Sequence, residues 1–373
     1  MSVSPPVTPV SMSDTSSAVA PADMDGRTQK KAWELLRVRR WWSVMGIMLL
    51  LTCVVIIGCL QFGAQRLTLS EFWSALFFRS AAGGDVAQVI IWEIRFPRIL
   101  MGLFIGASLA VTGAALQALV RNPLADPYVL GVSSGAALGA TMGLAFGLGS
   151  LAGGIGVPLF AFVGGAFSIM FVYGITASQG RLPTQTLLLA GVIVNALCSA
   201  LMMFANSILN PASLYRVVLW LMGTLSAPSL SILLGIGSCV VGAMVLLLRQ
   251  SQALNLIAVG EDAAASLGVE TERVQRTVFF VSALLTGAVV SVSGMIGFVG
   301  MVVPHLVRIL CGADHRLLLP ASALGGGILL MVADSFARTV VAPEEIPVGV
   351  ITALIGGPFF IYLLMTRKYR FVV

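Results

Sequence analysis

Ten apolar segments, each near the length of a membrane span, follow one another along this 373-residue chain and constrain its fold more than any other feature. A helix needs about 20 apolar residues to cross the hydrocarbon core of a bilayer. Hydrophobic residues make up 58% of the chain and charged residues 10%, whereas soluble domains carry about 25% charged residues. The sequence therefore predicts an all-α polytopic membrane protein with about ten transmembrane helices. The predicted spans are residues 42–62, 97–119, 129–149, 156–177, 184–207, 229–248, 275–293, 295–312, 318–337 and 346–366.

The first 40 residues differ from the rest of the chain. They are rich in Ser, Pro and Thr up to about Met24, then become basic, and they lack a hydrophobic core. Such a composition is typical of disorder, so we expect residues 1–40 to form a disordered basic cytoplasmic tail and residues 41–373 to form the transmembrane domain. A cleaved signal peptide would need its apolar region nearer the start, and none is expected.

The basic residues predict how the spans are oriented. Ten spans from a cytoplasmic N-terminus return the C-terminus to the cytoplasm, and most of the 22 Lys and Arg residues then fall on the inner side. Cytoplasmic loops of membrane proteins carry this excess of Lys and Arg, so both termini are expected inside. The basic residues on the predicted outer side are Arg66, Arg79, Arg95, Arg98, Arg216 and Arg338.

A duplicated phrase predicts an inverted internal repeat. The sequence GASLAVTGAALQALVRNP begins at Gly106, and GAVVSVSGMIGFVGMVVP begins at Gly287, so that Pro123 and Pro304 occupy the same place in each copy. The copies start five predicted spans apart, an odd number, and must therefore run in opposite directions through the membrane. Transporters are often built from such repeats, and we place the halves at about 95–208 and 276–366.

Missing motifs narrow the function. The chain has only three lysines, and none follows a Gly-rich phosphate loop, so the chain is not by itself a P-loop ATPase. Only Asp334 places a carboxylate within or near the end of a span, whereas ion-coupled carriers use intramembrane ionisable groups. Energy is therefore expected from outside the membrane. An ion-coupled secondary carrier remains the alternative for the repeat, and an intramembrane enzyme would need a nucleophile pattern that the sequence lacks.

Other partner classes are also disfavoured. The basic residues flank spans and form no patch with interleaved aromatics, so no nucleic-acid partner is expected. The five cysteines form no CxxC pair, and there are two histidines, His305 and His315. Neither pattern predicts a metal site. His305 follows Pro304, and helix packing is the simpler role for it than haem ligation.

The longest predicted cytoplasmic connection, residues 250–274, reads SQALNLIAVGEDAAASLGVETERVQ. Its helical pattern breaks at Gly260 and Gly268, and apolar residues such as Leu254 and Leu267 share it with acidic ones. We interpret it as a short helix pair that docks onto a partner; a solvated loop containing a helix is the alternative.

Taken together, these phrases resemble the iron-chelate and cobalamin permeases of ATP-binding-cassette importers, the FecCD or BtuC type. The resemblance spans residues 94–367. It rests on the phrases IRFPRILMGLFIGASLAVTGAALQALVRNPLADPYVLGVSSGAALGA (94–140), LLLAGVIVNALCSALM (187–202), LWLMGTL (219–225), AVGEDAAASLG (258–268), GMIGFVGMVVPHLVR (294–308), DHRLLLPASALGGGILLMVAD (314–334) and EIPVGVITALIGGPFFIYLL (345–364).

The resemblance implies a homodimer in a bacterial inner membrane with a path at its two-fold axis. Two separate ATPase subunits would bind ATP and Mg on the cytoplasmic face, a periplasmic binding protein would deliver cargo, and this chain would bind no cofactor itself. The implied cargo is haem, a ferric siderophore or cobalamin. The wording of NPLADPYVLGVSSGAALGA is slightly more similar to the haem-importing branch.

The same resemblance assigns roles to residues of this chain. Docking of the binding protein would use Arg95, Arg98 and Arg338, which could otherwise anchor helix ends at the lipid interface. Coupling to the ATPase would use Gly260, Glu261, Ala264, Leu267 and Gly268. The cytoplasmic gates would be Asn122, Pro123 and Leu124, with Thr184 and Gln185, although RNPLADP could also be a simple tight turn. A weakly polar path is expected along Ser133, Ser134, Asn195, Met202, Met203 and Asn206.

Overall fold

The computed structural model describes residues 26–63, 65, 67–77, 86–148, 155–177, 184–226 and 229–365, and these residues form helices with no strand. The chain divides into two compact units, Met1–Ser43 and Val44–Val373, of which the second holds the helical bundle. The first half of the described helices comprises α1 (Gly26–Gln61), α2 (Leu69–Phe77), α3 (Val86–Val89), a π-helical turn (Ile90–Arg95), α4 (Phe96–Val120), a 3₁₀ turn (Pro127–Leu130), α5 (Val132–Ala145), α6 (Gly156–Ala177) and α7 (Thr184–Ile208). The second half comprises α8 (Pro211–Leu221), α9 (Leu230–Arg249), α10 (Ser251–Val259), α11 (Glu261–Ser266), α12 (Thr271–Ser293), α13 (Val299–Cys311), α14 (His315–Ala337) and α15 (Val348–Met365).

Every one of the ten predicted spans coincides with a described helix. Among the described residues, seven helices are long and apolar enough to cross a membrane by themselves, and three apolar helices are shorter, at Val132–Ala145, Val299–Cys311 and Val348–Leu363. Two of the three begin late because an irregular segment precedes them. The all-α polytopic architecture predicted from hydropathy is confirmed.

The expected disordered tail is wrong for its second half. Helix α1 begins at Gly26 and runs without interruption into the first span. The stretch after Gly26 contains Lys, Arg, Glu, Leu and Trp but no proline, and these residues allow the helix of the span to extend towards the N-terminus. The expected disorder of residues 1–25 lies outside the described residues.

The two halves are related by reciprocal packing. Helix α4 packs against α13 and α14, and α12 packs in the same way against α5 and α6. Each of these two long helices ends at a left-handed residue, Arg121 (φ 50°) after α4 and Gly294 (φ 70°) after α12. A second left-handed residue then precedes the next helix, Gly131 (φ 85°) before α5 and Phe298 (φ 68°) before α13. The irregular segments after α4 and after α12 thus have the same arrangement of left-handed residues, and this arrangement, like the packing, indicates that the two halves are copies of one unit.

The predicted residue register of the repeat is wrong. Pro123 lies in the turn after α4, whereas Pro304 lies inside α13. Gly113 is in the body of α4, whereas its supposed counterpart Gly294 ends α12. The phrases are similar because Gly and Ala recur wherever helices approach closely. Aligning the two phrases by sequence therefore pairs residues that are not structurally equivalent, and the two alignments differ by several residues.

The close packing of α4 against its neighbours depends on glycines, which have no side chain. A Cβ at Gly106 would collide with the backbone carbonyl of Gly326 in α14, and a Cβ at Gly113 would collide with that of Gly300 in α13. Lipid supplies no hydrophobic drive between membrane helices, so close backbone contact between small residues stabilises them instead. This contact places α4 at the centre of the bundle, where most of its residues are buried.

Candidate functional site

A cluster of four charged side chains lies at the predicted outer end of the bundle. In α4, Arg98 contacts Asp334 of α14, with its Nη2 2.9 Å and its Nε 3.1 Å from Oδ1. Its Nη1 donates to Glu345 Oε2 at 2.9 Å, and Arg338 Nε lies 3.0 Å from Asp334 Oδ2. Asp334 is 2% exposed. The one carboxylate that the sequence places in a span is therefore neutralised by two guanidinium groups, as a buried charge must be.

Arg95 differs from the charged cluster because its guanidinium group contacts backbone carbonyls at the end of α1. Its Nη1 donates to the carbonyl oxygens of Leu60 at 2.6 Å and Gln61 at 3.0 Å, which are the last carbonyls of α1. A helix leaves its final carbonyls without intrahelical donors, and a basic side chain can satisfy them. Arg95 is thus a C-terminal cap for α1.

These contacts change the interpretation of the docking arginines. Arg95 and Arg338 are only 3% and 4% exposed, and the Arg98 side chain is 12% exposed. All three guanidinium groups are occupied inside the protein. Their role in docking stays a prediction.

The predicted partner-binding segment is a pair of short helices, α10 and α11, interrupted where the sequence indicated. Leu254, Ile257 and Ala264 are fully buried and fix the pair to the bundle. Val259 and Leu267 are 78% and 69% exposed on it. The pair is thus firmly attached on one side and presents apolar side chains on the other.

Three of the predicted coupling residues have distinct environments. Gly268 has φ +84°, in the left-handed region that favours glycine, and it links α11 to α12. Gly260 joins α10 to α11 with nothing closer than 3.9 Å to an added Cβ. Glu261 accepts a hydrogen bond from Gln275 Nε2 at 2.9 Å. It also lies 4.0 Å from the Arg121 guanidinium, which connects α11 to the end of α4.

The two predicted gate segments, residues 122–124 and 184–185, lie at the predicted cytoplasmic end of the bundle, as the α10–α11 pair does. Asn122 Oδ1 accepts from the backbone N–H of Leu124 at 2.9 Å and closes a tight turn around Pro123. Thr184 starts α7, and Gln185 beside it is exposed. No hydrogen bond between the two segments occurs among the residues that the structure describes. The turn interpretation of RNPLADP is therefore correct as structure, and the gate role stays a prediction.

The predicted path residues lie in α5 and α7. Ser134 Oγ donates to Asn195 Oδ1 at 2.5 Å, and Asn195 Nδ2 donates to the Tyr128 carbonyl at 3.2 Å. Ser133 is buried in the single chain, and its role on the path stays a prediction. The remaining three predicted residues lie nearer the end of α7: Met202 is half-buried, Met203 is exposed, and Asn206 has a buried Oδ1 with no hydrogen-bond partner among the described residues.

Sequence reasoning missed a bridge between the two irregular segments. The Tyr128 hydroxyl accepts from the backbone N–H of Ile296 at 2.8 Å and donates to the Ile296 carbonyl at 2.9 Å. Tyr128 belongs to the 3₁₀ turn before α5, and Ile296 to the break between α12 and α13. One side chain therefore joins the equivalent breaks of both halves. The only sequence signal was an aromatic residue between Pro127 and Gly131.

Asp126 supports this 3₁₀ turn from its N-terminal side. Its Oδ1 accepts from the Tyr128 backbone N–H at 2.9 Å. Burial raises the pKa of the Asp126 carboxyl to about 6, and the hydrogen bond from Tyr128 opposes that rise. His305, by contrast, packs edge-on against Phe359 of α15 with ring centroids 6.2 Å apart, which fits the packing role preferred from sequence.

Comparison with known proteins defines the class to which this chain belongs. The profile of the FecCD transport family matches residues 49–366. The chain therefore belongs to the FecCD transport family. The match begins within α1, extends through α15 and includes every candidate site residue.

Individual relatives cover nearly the same length. The chain is 40% identical over 327 residues to the hemin transport system permease protein HmuU of Yersinia pestis, covering 87% of this chain and 96% of that protein. It is 44% identical over 304 residues to the cobalamin import system permease protein BtuC of Halobacterium salinarum, covering 80% of each. A solved structure described as an inward-facing conformation of a metal-chelate type ABC transporter matches with a TM-score of 0.75 and 33% identity, covering 87% of this chain and 99% of that one.

Proposed function

We propose that this chain is the permease subunit of an ATP-driven importer that moves haem or a related iron chelate into the cytoplasm by alternating access. The observation that carries the proposal is membership of the FecCD transport family over residues 49–366. Ferric siderophore and cobalamin are the alternative cargoes, because relatives of similar identity are named for hemin and for cobalamin. An ion-coupled carrier is the distant alternative.

ATP hydrolysis is assigned to separate subunits that bind ATP and Mg on the cytoplasmic face. The α10–α11 pair supports this division, because it presents Val259 and Leu267 to the outside while Leu254, Ile257 and Ala264 anchor it. An exposed apolar patch on a well-anchored element is typical of a protein-binding surface. A movement imposed on this pair would reach α4 and α14, against which α10 packs.

A periplasmic binding protein is assigned to the opposite face. Arg98 is the arginine best placed for contact with it, since its Glu345 partner is 46% exposed, unlike the Asp334 partner. A carboxylate of the binding protein would have to replace Glu345 at Arg98. Charge pairs at an interface rim mainly set approach and register.

A second copy of this chain is assigned to one face of α7. That face exposes eight large apolar side chains: Leu189, Val192, Ile193, Leu197, Leu201, Met203, Phe204 and Ile208. A homodimer closed along α7 would cover this face, which includes Met203 of the predicted cargo path. We place the complex in the bacterial inner membrane with both termini in the cytoplasm.

The cargo can be identified with the full complex in proteoliposomes. The permease, its ATPase and its binding protein would be tested with haem, a ferric siderophore and cobalamin, each alone and in competition. Uptake of haem that the other two cargoes do not displace supports the proposal. Preferential uptake of cobalamin or the siderophore would move the assignment to the corresponding alternative.

A further inference from the structure

Helix α2 (Leu69–Phe77) follows the first span at the predicted outer end of the bundle, and none of the roles assigned above uses it. It begins at a capping box. The Thr68 backbone N–H donates to Glu71 Oε2 at 2.8 Å, and the Glu71 N–H donates to Thr68 Oγ1 at 3.3 Å. Because such a box defines a helix start from the local sequence, α2 is a separate element on the connection between two spans.

One side of α2 packs against the bundle. Phe72 and Ala75 are buried in an apolar cluster that includes residues of α1 and of the π-helical turn. The indole N–H of Trp92, in that turn, donates to the Ala75 carbonyl oxygen at 3.1 Å. This carbonyl is among the last four of α2, which have no intrahelical donor. Apolar packing and a hydrogen bond thus fix the helix in place.

A second side of α2 exposes large apolar side chains. Leu69, Trp73 and Phe77 are 68%, 46% and 70% exposed, and the rings of Trp73 and Phe77 stack with centroids 5.6 Å apart. An α-helix turns by about 100° per residue, so these three residues fall within an arc of about 80°. Trp92, which contacts the same helix, is also exposed.

The third side of α2 is polar. Ser70, Glu71 and Ser74 are exposed and fall within a further arc of about 100°. Around the helix axis, the exposed apolar arc lies between the buried side and this polar arc. A helix that lies in the surface of a bilayer, beside a membrane protein, meets these three surroundings: protein on one side, acyl chains below and water above.

The order of the arcs decides which side faces the lipid. If the polar arc faced the bilayer, Glu71 would enter the hydrocarbon, where a carboxylate is costly. The end of the preceding span exposes Val54, Ile57 and Phe62, and an exposed apolar surface on a span faces acyl chains. The apolar arc of α2 extends this kind of surface to the end of the bundle, and it contains a Trp, which is enriched where membrane and water meet.

We propose that α2 is an interfacial helix that binds the phospholipid headgroup layer of the leaflet at the predicted outer end of the bundle, with Leu69, Trp73 and Phe77 among the upper parts of the acyl chains. Its partner is the lipid surface rather than another protein. Because the Trp92 hydrogen bond ties α2 to the π-helical turn, this contact holds that turn at a fixed depth in the bilayer. The proposal does not depend on the cargo or on the source of energy for transport.

The test uses the full-length protein reconstituted in phosphatidylcholine whose acyl chains carry bromine either near the headgroup or near the chain end. The difference in emission between the unmodified protein and Trp73→Phe isolates Trp73 among the six tryptophans. We expect bromine near the headgroup to quench this emission at least about twofold more strongly than bromine near the chain end, since interfacial Trp rings lie at the headgroup level. Quenching by neither lipid, as for a Trp73 covered by protein or surrounded by water, or quenching that is no stronger near the headgroup, would overturn the proposal.

Two double variants compare the exposed arcs of α2 directly. Leu69→Glu with Phe77→Glu places two carboxylates in the apolar arc and should reduce quenching by the lipid that is brominated near the headgroup. Ser70→Glu with Ser74→Glu places the same charges in the polar arc, is the matched control, and should be quenched like the unmodified protein. Equal quenching of the two double variants would contradict the proposed orientation of the helix.

A further measurement needs no substitution and so does not depend on whether the variants fold. Phosphatidylcholine with a photoactivatable group at the top of one acyl chain would be incorporated with the unmodified protein, and the labelled residues would be mapped by mass spectrometry. The proposal predicts labelling within residues 69–77. An unlabelled α2 in a protein whose first span is labelled would overturn it.

Discussion

At the scale of single residues, the described charges and polar groups act mainly by holding helices together. Arg98, Asp334 and Arg338 satisfy one another at one end of α4 and α14, and Arg95 caps α1. Hydropathy predicts that such residues are unusual in spans. Hydropathy cannot tell whether these residues face a partner or each other, because that depends on how helices that are far apart in the sequence pack together.

Replacing Asp334 with Asn should strongly destabilise the bundle. The change leaves Arg98 and Arg338 close together without the buried negative charge, and breaking a buried pair in this way costs about 3–5 kcal/mol. Thermal unfolding of the purified protein in detergent measures the effect. Glu272→Gln, which removes an exposed i,i+4 partner of Arg276, is the control and should leave the melting temperature nearly unchanged. Equal melting temperatures for both variants would contradict the structural role of the cluster.

Replacing Tyr128 with Phe should loosen the junction of the two halves. The variant leaves the Ile296 N–H and carbonyl without the hydroxyl that both contact, and an unsatisfied buried polar group costs about 1–3 kcal/mol. We expect a lower melting temperature and faster hydrogen exchange at residues 294–298. Tyr173→Phe is the matched control, because Tyr173 contributes its ring to a cluster with Phe279 and Phe280. If hydrogen exchange at residues 294–298 in Tyr128→Phe matched that in the control, the Tyr128 bridge would not stabilise this junction.

At the scale of elements, helix breaks decide where functional groups lie. The π-helical turn precedes Pro97, and the backbone N–H of Phe96 bonds to the carbonyl of Ile91, five residues back. Proline lacks an N–H and clashes with the preceding turn, and a wider turn accommodates it. This turn ends at Arg95, three residues before Arg98. The sequence predicted the helix, but neither the π turn nor the short helices α2, α3 and α8.

The α10–α11 pair was predicted because two glycines interrupt an otherwise helical pattern. Leu267→Asp tests its proposed role, since the side chain is 69% exposed and the change should leave the permease folded. We expect ATP hydrolysis by the complex to lose its dependence on cargo, or ATPase binding to weaken at least about tenfold, because an apolar anchor at an interface contributes 1–2 kcal/mol or more. Leu267→Met keeps the apolar surface and should behave like the unmodified protein. Normal coupling in Leu267→Asp would place the ATPase contact elsewhere.

At the scale of the whole molecule, the chain is a bundle of two related halves, in which α4 and α12 each pack against helices of the other half. Hydropathy predicted all ten segments, since each one is apolar over nearly its whole length. The repeat was predicted correctly in kind but in the wrong residue register, because Gly113 and Gly294 have different structural duties: close helix contact for one and a left-handed helix end for the other. The burial of Arg95, Arg98 and Arg338 was likewise not predicted, because the sequence shows only that these arginines lie near the ends of spans.

The most direct test of the central claim is cargo uptake into proteoliposomes that contain the permease, with ATP inside or outside the vesicles and with or without its ATPase and binding protein. The account predicts uptake that requires the ATPase, the loaded binding protein and ATP on the side that the α10–α11 pair faces, and that Leu267→Asp reduces it. Uptake driven by an imposed proton or sodium gradient in vesicles lacking the ATPase would contradict the account and establish an ion-coupled carrier instead.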